Sequence, residues 1–130
     1  MPGGSGAGSR TIAAAAARAA ADKQAQDVVI LDVHELIVIT DFFVLCTGTS
    51  DRQVKTLVEE IEKALRALGE KPVRREGEQD ARWVLLDYVD VVVHVFAEEE
   101  REYYDLERLW RDAPRLRWDG EGEGVAASAD

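Results

Sequence analysis

Asp87, Asp90 and His94 stand close together in the stretch WVLLDYVDVVVHVF, which runs from Trp83 to Phe96. Two neighbouring carboxylates could share a divalent cation, and an imidazole beside them could move a proton. Ser50 follows a glycine-containing turn, TGTS, and opens a helical pattern. Backbone N–H groups at such a helix start can hold phosphate. Put together, these residues would describe a metal-dependent enzyme acting on a phosphate-bearing substrate. The spacing argues the other way. Asp87 and Asp90 flank a turn instead of sharing a strand, and no third carboxylate stands at an obvious spacing. P-loop, HExxH, GxSxG and CxxC motifs are all absent. Ser50 with Gln53 three residues on is a capping box, which accounts for the serine without a ligand. Cys46 is the only cysteine and lies in an apolar run, so it reads as core and excludes an internal disulfide or a multi-cysteine zinc site. No catalytic residue, metal or cofactor is expected.

Binding is the better use for these side chains. The spacing predicts a hairpin turning through Tyr88 and Val89, with Asp87 facing Asp90, Leu86 facing Val91, Val84 facing Val93 and Trp83 facing His94. Side chains alternate in direction along a strand. One face then carries Val84, Leu86, Val91, Val93 and Val95, and belongs under helices. The other carries Trp83, Leu85, Asp87, Asp90, Val92, His94 and Phe96, aromatics beside acids. On that mixed face His94 is expected to be hydrogen-bonded in a covered layer. Trp83 with Asp87 reads instead as an interface anchor, a large aromatic with a charge at its rim. The same face could also close against a second copy of the chain, as a homodimerisation module.

The elements that must position this face follow from periodicity and punctuation. A chain of 130 residues suits one domain. Residues 1–10 are Gly- and Ser-rich and expected to be disordered; the domain proper is expected over 11–118, and 119–130 form a small-residued acidic tail, also expected to be disordered. An alanine-dominated helix is predicted from Thr11 to about Gln26. Strands are predicted at Val28–Val33 and Phe42–Thr47, with an ambiguous period between them. A helix over Asp51–Leu68 carries the stripe Val54, Leu57, Val58, Ile61, Leu65 and Leu68, and Gly69 ends it. Pro72–Arg75 is expected to be an edge strand. Strands follow at about Arg82–Leu86 and Val91–Ala97, then a helix over Glu99–Asp112 with Tyr103, Leu106 and Trp110 on one face. The fold class is α/β, with about five strands.

The formal net charge is −10. Such a chain will not hold nucleic acid by phosphate neutralisation, but it will be steered toward a basic surface. No run approaches the roughly 18 apolar residues of a membrane span, and no basic region leads into an apolar core at the N-terminus, so a cytoplasmic location is expected.

Four blocks in order carry a family resemblance: LDV at 31–33, TDFFVLCTGTSDRQV at 40–54, EGEQDARWVLLDYVDVVVHVF at 76–96 and EEEREYYDLERLWRDA at 98–113. Over about residues 11 to 113 the chain resembles the ribosomal silencing factor family, also called Iojap-like. The family commonly has Gly where Val89 stands and often Tyr where Phe42 stands. The resemblance implies a mixed sheet flanked by helices, similar to nucleotidyltransferases, without catalysis. It implies binding to the large ribosomal subunit through that subunit's protein number fourteen, a steric block to subunit joining, and repression of translation when nutrients are scarce. It also implies a frequent homodimer. Carried over by residue, it points to Trp83, Leu85, Asp87 and Tyr88 as partner-binding, with Arg101 and Tyr104 at the last helix.

Overall fold

The structure, a computed structural model, describes residues 8–118. The expected acidic tail and most of the expected N-terminal tail lie outside the described residues. In chain order the elements are α1 (Ser9–Asp22), β1 (Gln26–Asp32), β2 (Phe42–Gly48), α2 (Asp51–Ala67), β3 (Arg74–Glu76), β4 (Trp83–Asp87), β5 (Val91–Ala97), α3 (Glu98–Tyr104), α4 (Leu106–Leu109) and β6 (Arg115–Leu116). They build a mixed α/β fold on one six-stranded sheet of order β3-β4-β5-β2-β1-β6. The β2–β5 pair is parallel and the other pairs are antiparallel. Among the described residues no helix is long and apolar enough to cross a membrane.

Three expectations are corrected. A sixth strand, β6, pairs with β1; two residues after a proline are too few to show a period in sequence. The last helix is not continuous over Glu99–Asp112. Asp105 takes a left-handed backbone, φ 47°, and breaks it into α3 and α4; Asp is among the few residues that tolerate this conformation. The β4–β5 register is two residues away from the predicted one, with Trp83 opposite Phe96, Leu85 opposite His94 and Asp87 opposite Val92. An even shift leaves every side chain on its predicted face.

The turn itself explains the shift. Asp87 Oδ1 accepts the Val89 N–H at 2.8 Å, and the Tyr88 N–H donates to the Val91 carbonyl at 2.8 Å. The loop is therefore Val89–Asp90, and Val89 is forced to φ 76°. A β-branched residue is strained there. Val89→Gly should raise the unfolding free energy by about 1 kcal/mol, read as a higher urea midpoint at unchanged slope.

One face of the sheet is sealed by α1 and α2. Ile12, Ala13, Ala16, Ala17 and Ala20 of α1 and Val54, Leu57, Ile61 and Leu65 of α2 pack on Val44, Val84, Leu86, Val93 and Val95. The alanines let α1 lie close. Ser50 caps α2 by accepting the Gln53 N–H at 3.0 Å, and the Gln53 side chain returns to the Thr49 N–H at 2.7 Å. Gln53 Nε2 also donates to the carbonyls of Lys23 and Gln24, which ties the end of α1 to the start of α2. A Cβ at Gly48 would meet both the backbone and the side chain of Val54 at 3.0 Å. The glycine of TGTS is thus a helix-packing residue. The opposite face of the sheet is only partly covered, by α3, α4 and the segment after them.

Candidate functional site

The partly covered face is built in cross-strand rows. Trp83 (β4), Phe96 (β5) and Thr47 (β2) make one row; Leu85, His94 and Leu45 the next; Asp87, Val92 and Phe43 the third. Leu106 and Ala113 seal the β1–β2 side of this face with Leu31, Val33, Leu45 and Phe96. Toward β4 the cover runs out, and Trp83, Leu85, Val92 and Phe43 are left half-buried.

Aromatic rings run across that opening. Tyr104 of α3 lies 4.5 Å from Trp83, which stacks on Phe96 at 5.1 Å. The Trp83 indole N–H donates to His94 Nδ1 at 3.1 Å. The His94 ring meets Phe43 edge-on at 5.1 Å, and Phe43 meets Trp110 edge-on at 5.4 Å. Tyr104 is 46% exposed, and Tyr103 beside it is more exposed still. Edge-to-face and offset pairs of this kind fix ring orientation. The row is therefore a shaped surface.

Charge sits at the rim. Asp87 Oδ2 pairs with Arg74 at 3.3 Å, and Arg74 also reaches Glu76. Beneath the row His94 is only 5% exposed, as expected of a covered histidine. Burial, and then the charge of Arg101, push its pKa down to about 4. Arg101 itself is buried. It donates to Thr47 Oγ1 at 2.7 Å and to both Glu107 oxygens, at 3.2 Å and 2.8 Å. Burial alone would raise the Glu107 carboxyl; the bond and charge of Arg101 outweigh it and hold the carboxyl below its usual range. Burial pushes the Cys46 thiol up to about 12, consistent with an inert core residue.

Of the residues singled out from sequence, Trp83, Leu85, Asp87 and Tyr104 share this face. Tyr88 does not: it is an even-numbered neighbour of Leu86, buried on the α1–α2 side. Arg101 lies under the face, with its guanidinium committed inside the fold. Ser50 follows the C-terminal end of β2, whereas Asp87 ends β4 and Asp90 immediately precedes β5, at the opposite end of the parallel β2–β5 pair. The two ends are separated by a strand of seven residues, roughly 20 Å, so the constellation an enzyme would need is not assembled. Phe43 and Trp110 complete the aromatic row and were missed. Alternation along FFVLCTG puts Phe42 and Phe43 on opposite faces, a signal that becomes useful only once β2 is known to lie beside β5.

The family model described as "Ribosomal silencing factor during starvation" matches residues 7–130. The chain belongs to the ribosomal silencing factor family. It is 46% identical over 105 residues to Ribosomal silencing factor RsfS of Halalkalibacterium halodurans, covering 81% of this chain and 90% of that one. The chloroplastic protein Iojap of Zea mays is 34% identical over 79% of this chain and 45% of its own length. Among solved structures, a crystal structure of a Chromobacterium violaceum protein superposes with a TM-score of 0.74 at 38% identity, covering 77% of this chain and 83% of that one. One from Bacillus halodurans superposes with a TM-score of 0.69 at 43% identity, covering 79% and 93%. The left-handed backbone at Val89 is one that glycine adopts without strain.

Proposed function

We propose that this protein is a non-enzymatic translational repressor that binds the large ribosomal subunit and sterically blocks subunit joining when nutrients are scarce. The observation that carries this reading, beside family membership, is the half-exposed aromatic row on a chain of net charge −10. Ribosomal RNA repels such a chain, so its landing point is a basic protein, and the resemblance names protein number fourteen of the large subunit. Trp83, Leu85, Asp87 and Tyr104 make the contact; Tyr88 and Arg101 hold the face from behind. The same open face can pair with a second copy in the free, cytoplasmic protein. Co-sedimentation with purified large and small subunits tests the reading. Pelleting with large subunits alone is expected; equal pelleting with both, or with neither, overturns it.

Trp83 and Asp87 should act differently within that contact. Trp83→Ala removes an aromatic anchor and should weaken binding by about 2 kcal/mol, roughly thirtyfold, mostly through faster dissociation. Asp87→Lys replaces attraction to a basic partner with repulsion. It should slow association, and most strongly at low salt. Binding kinetics at two salt concentrations distinguish the two. A salt-independent Asp87→Lys defect would mean that the charge has no steering role.

A further inference from the structure

The Trp83 indole has one polar atom, and it is a donor. Its bond to His94 Nδ1 at 3.1 Å therefore makes Nδ1 the acceptor. The single proton of the neutral ring must then sit on Nε2. That N–H is fully buried and meets no acceptor among the described residues. A buried donor without an acceptor destabilises a fold, and native proteins rarely leave one. Nε2 is also a distal ring atom, and strand side chains stand off the sheet. The ring itself lies beside Leu85, its cross-strand partner, and meets Phe43 edge-on, and both of these side chains are only half-buried.

We propose that His94 is a specificity-determining residue of the aromatic face, whose Nε2–H donates to a carbonyl oxygen that the bound partner inserts among Phe43, Trp83 and Trp110. This rests on the reading that the face docks on the large ribosomal subunit. A carbonyl fits better than a carboxylate because the surroundings are rings, and an ion would lose more hydration there than a neutral oxygen. Trp83 thereby acts twice, contacting the partner and fixing the tautomer that presents the donor. Nε2 is closed to solvent in the free protein, so the bond forms as the rings adjust around the partner. A partner that offers an apolar group at this point leaves the N–H unpaired, as it is in the free protein, and binds more weakly by the bond it does not make.

The test uses the full chain and purified large subunits, with three variants and a thermal melt of each. His94→Phe keeps a flat ring and removes both nitrogens. His94→Gln places an amide N–H near the Nε2 position, and His94→Asn places one near Nδ1 only. His94→Phe and His94→Asn should bind about tenfold more weakly, while His94→Gln stays within about threefold of the parent. A His94→Phe variant that folds and binds like the parent overturns the inference, and so does a His94→Gln variant as weak as His94→Phe. If His94→Phe does not fold, Gln against Asn decides: tighter binding by Gln supports the donor, equal binding overturns it. A parent chain that does not pellet with large subunits overturns the docking reading as well. A binding parent with an equally binding His94→Phe overturns this inference alone.

Discussion

Between pH 6.5 and pH 4 this protein should lose about 3 kcal/mol of stability through one side chain, His94. In the unfolded chain the imidazole titrates at its ordinary value, near 6.5; in the fold, burial and then Arg101 lower it to about 4. The folded state therefore binds fewer protons than the unfolded state within that window. Stability from this group is full above 6.5, falls by at most about 1.4 kcal/mol per pH unit, and is gone below 4. Other groups titrate in the same range. The Glu107 carboxyl, held below its usual range, loses its contribution in the same direction, whereas His34, raised by its bond to Asp32, contributes in the opposite direction. A comparison with His94→Phe separates them, because both proteins share every other group. The loss of Trp83's acceptor in that variant is a constant offset, independent of pH. Urea unfolding of both proteins from pH 7 to pH 4 should give a stability difference that is flat above 6.5 and then falls. Parallel curves would mean that His94 is hydrated and titrates normally, contrary to its burial.

How much of this was legible in sequence depended on whether the signal was local. Alternation along residues 83–96 assigned every side chain of β4 and β5 to its correct face, including Trp83, Leu85 and Asp87. Those assignments survived the wrong turn because the register error was even. The turn was misplaced because it is set by an Asp87 side-chain bond to the Val89 N–H and by a left-handed valine, neither of which propensity favours. The Ser50 cap and the Gly69 stop were readable because caps are local. Phe43 and Trp110 were not, since their place in the aromatic row exists only through the parallel β2–β5 pairing, a contact between distant segments. Tyr88 was grouped with Trp83 by the family resemblance, and the pleat sends it to the other face. The break at Asp105 lay hidden because the sequence around it, YYDLERLW, keeps a helical apolar period across the kink.

Arg101→Ala should lower the unfolding free energy by about 3 kcal/mol, roughly 10 °C in the melting temperature for a domain of this size. Three guanidinium bonds disappear together: one to Thr47 Oγ1 on β2 and two to Glu107 on α4. Packing of the guanidinium over the Phe96 ring, at 6.0 Å, is lost as well. The value lies at the low end for a broken buried pair because the Glu107 side chain is 24% exposed and can recover part of its hydration. The loss should also be directional. Arg101 is the polar link between α3 and α4 across the left-handed Asp105, so α4 should loosen first. Limited proteolysis should then cut between Asp105 and Ala113 before the sheet unfolds. Trp110 would lose its seat on Phe43, and the proposed large-subunit binding would weaken even though Arg101 itself does not reach the surface. Replacing both partners, Arg101→Met with Glu107→Leu, removes the stranded carboxylate and keeps an aliphatic stem over Phe96. That double variant should recover most of the lost stability, because a buried charge and its partly buried partner exchanged together for apolar groups of similar length are close to neutral. A double variant as unstable as Arg101→Ala would assign the loss to the Thr47 bond and not to the unpaired Glu107 charge.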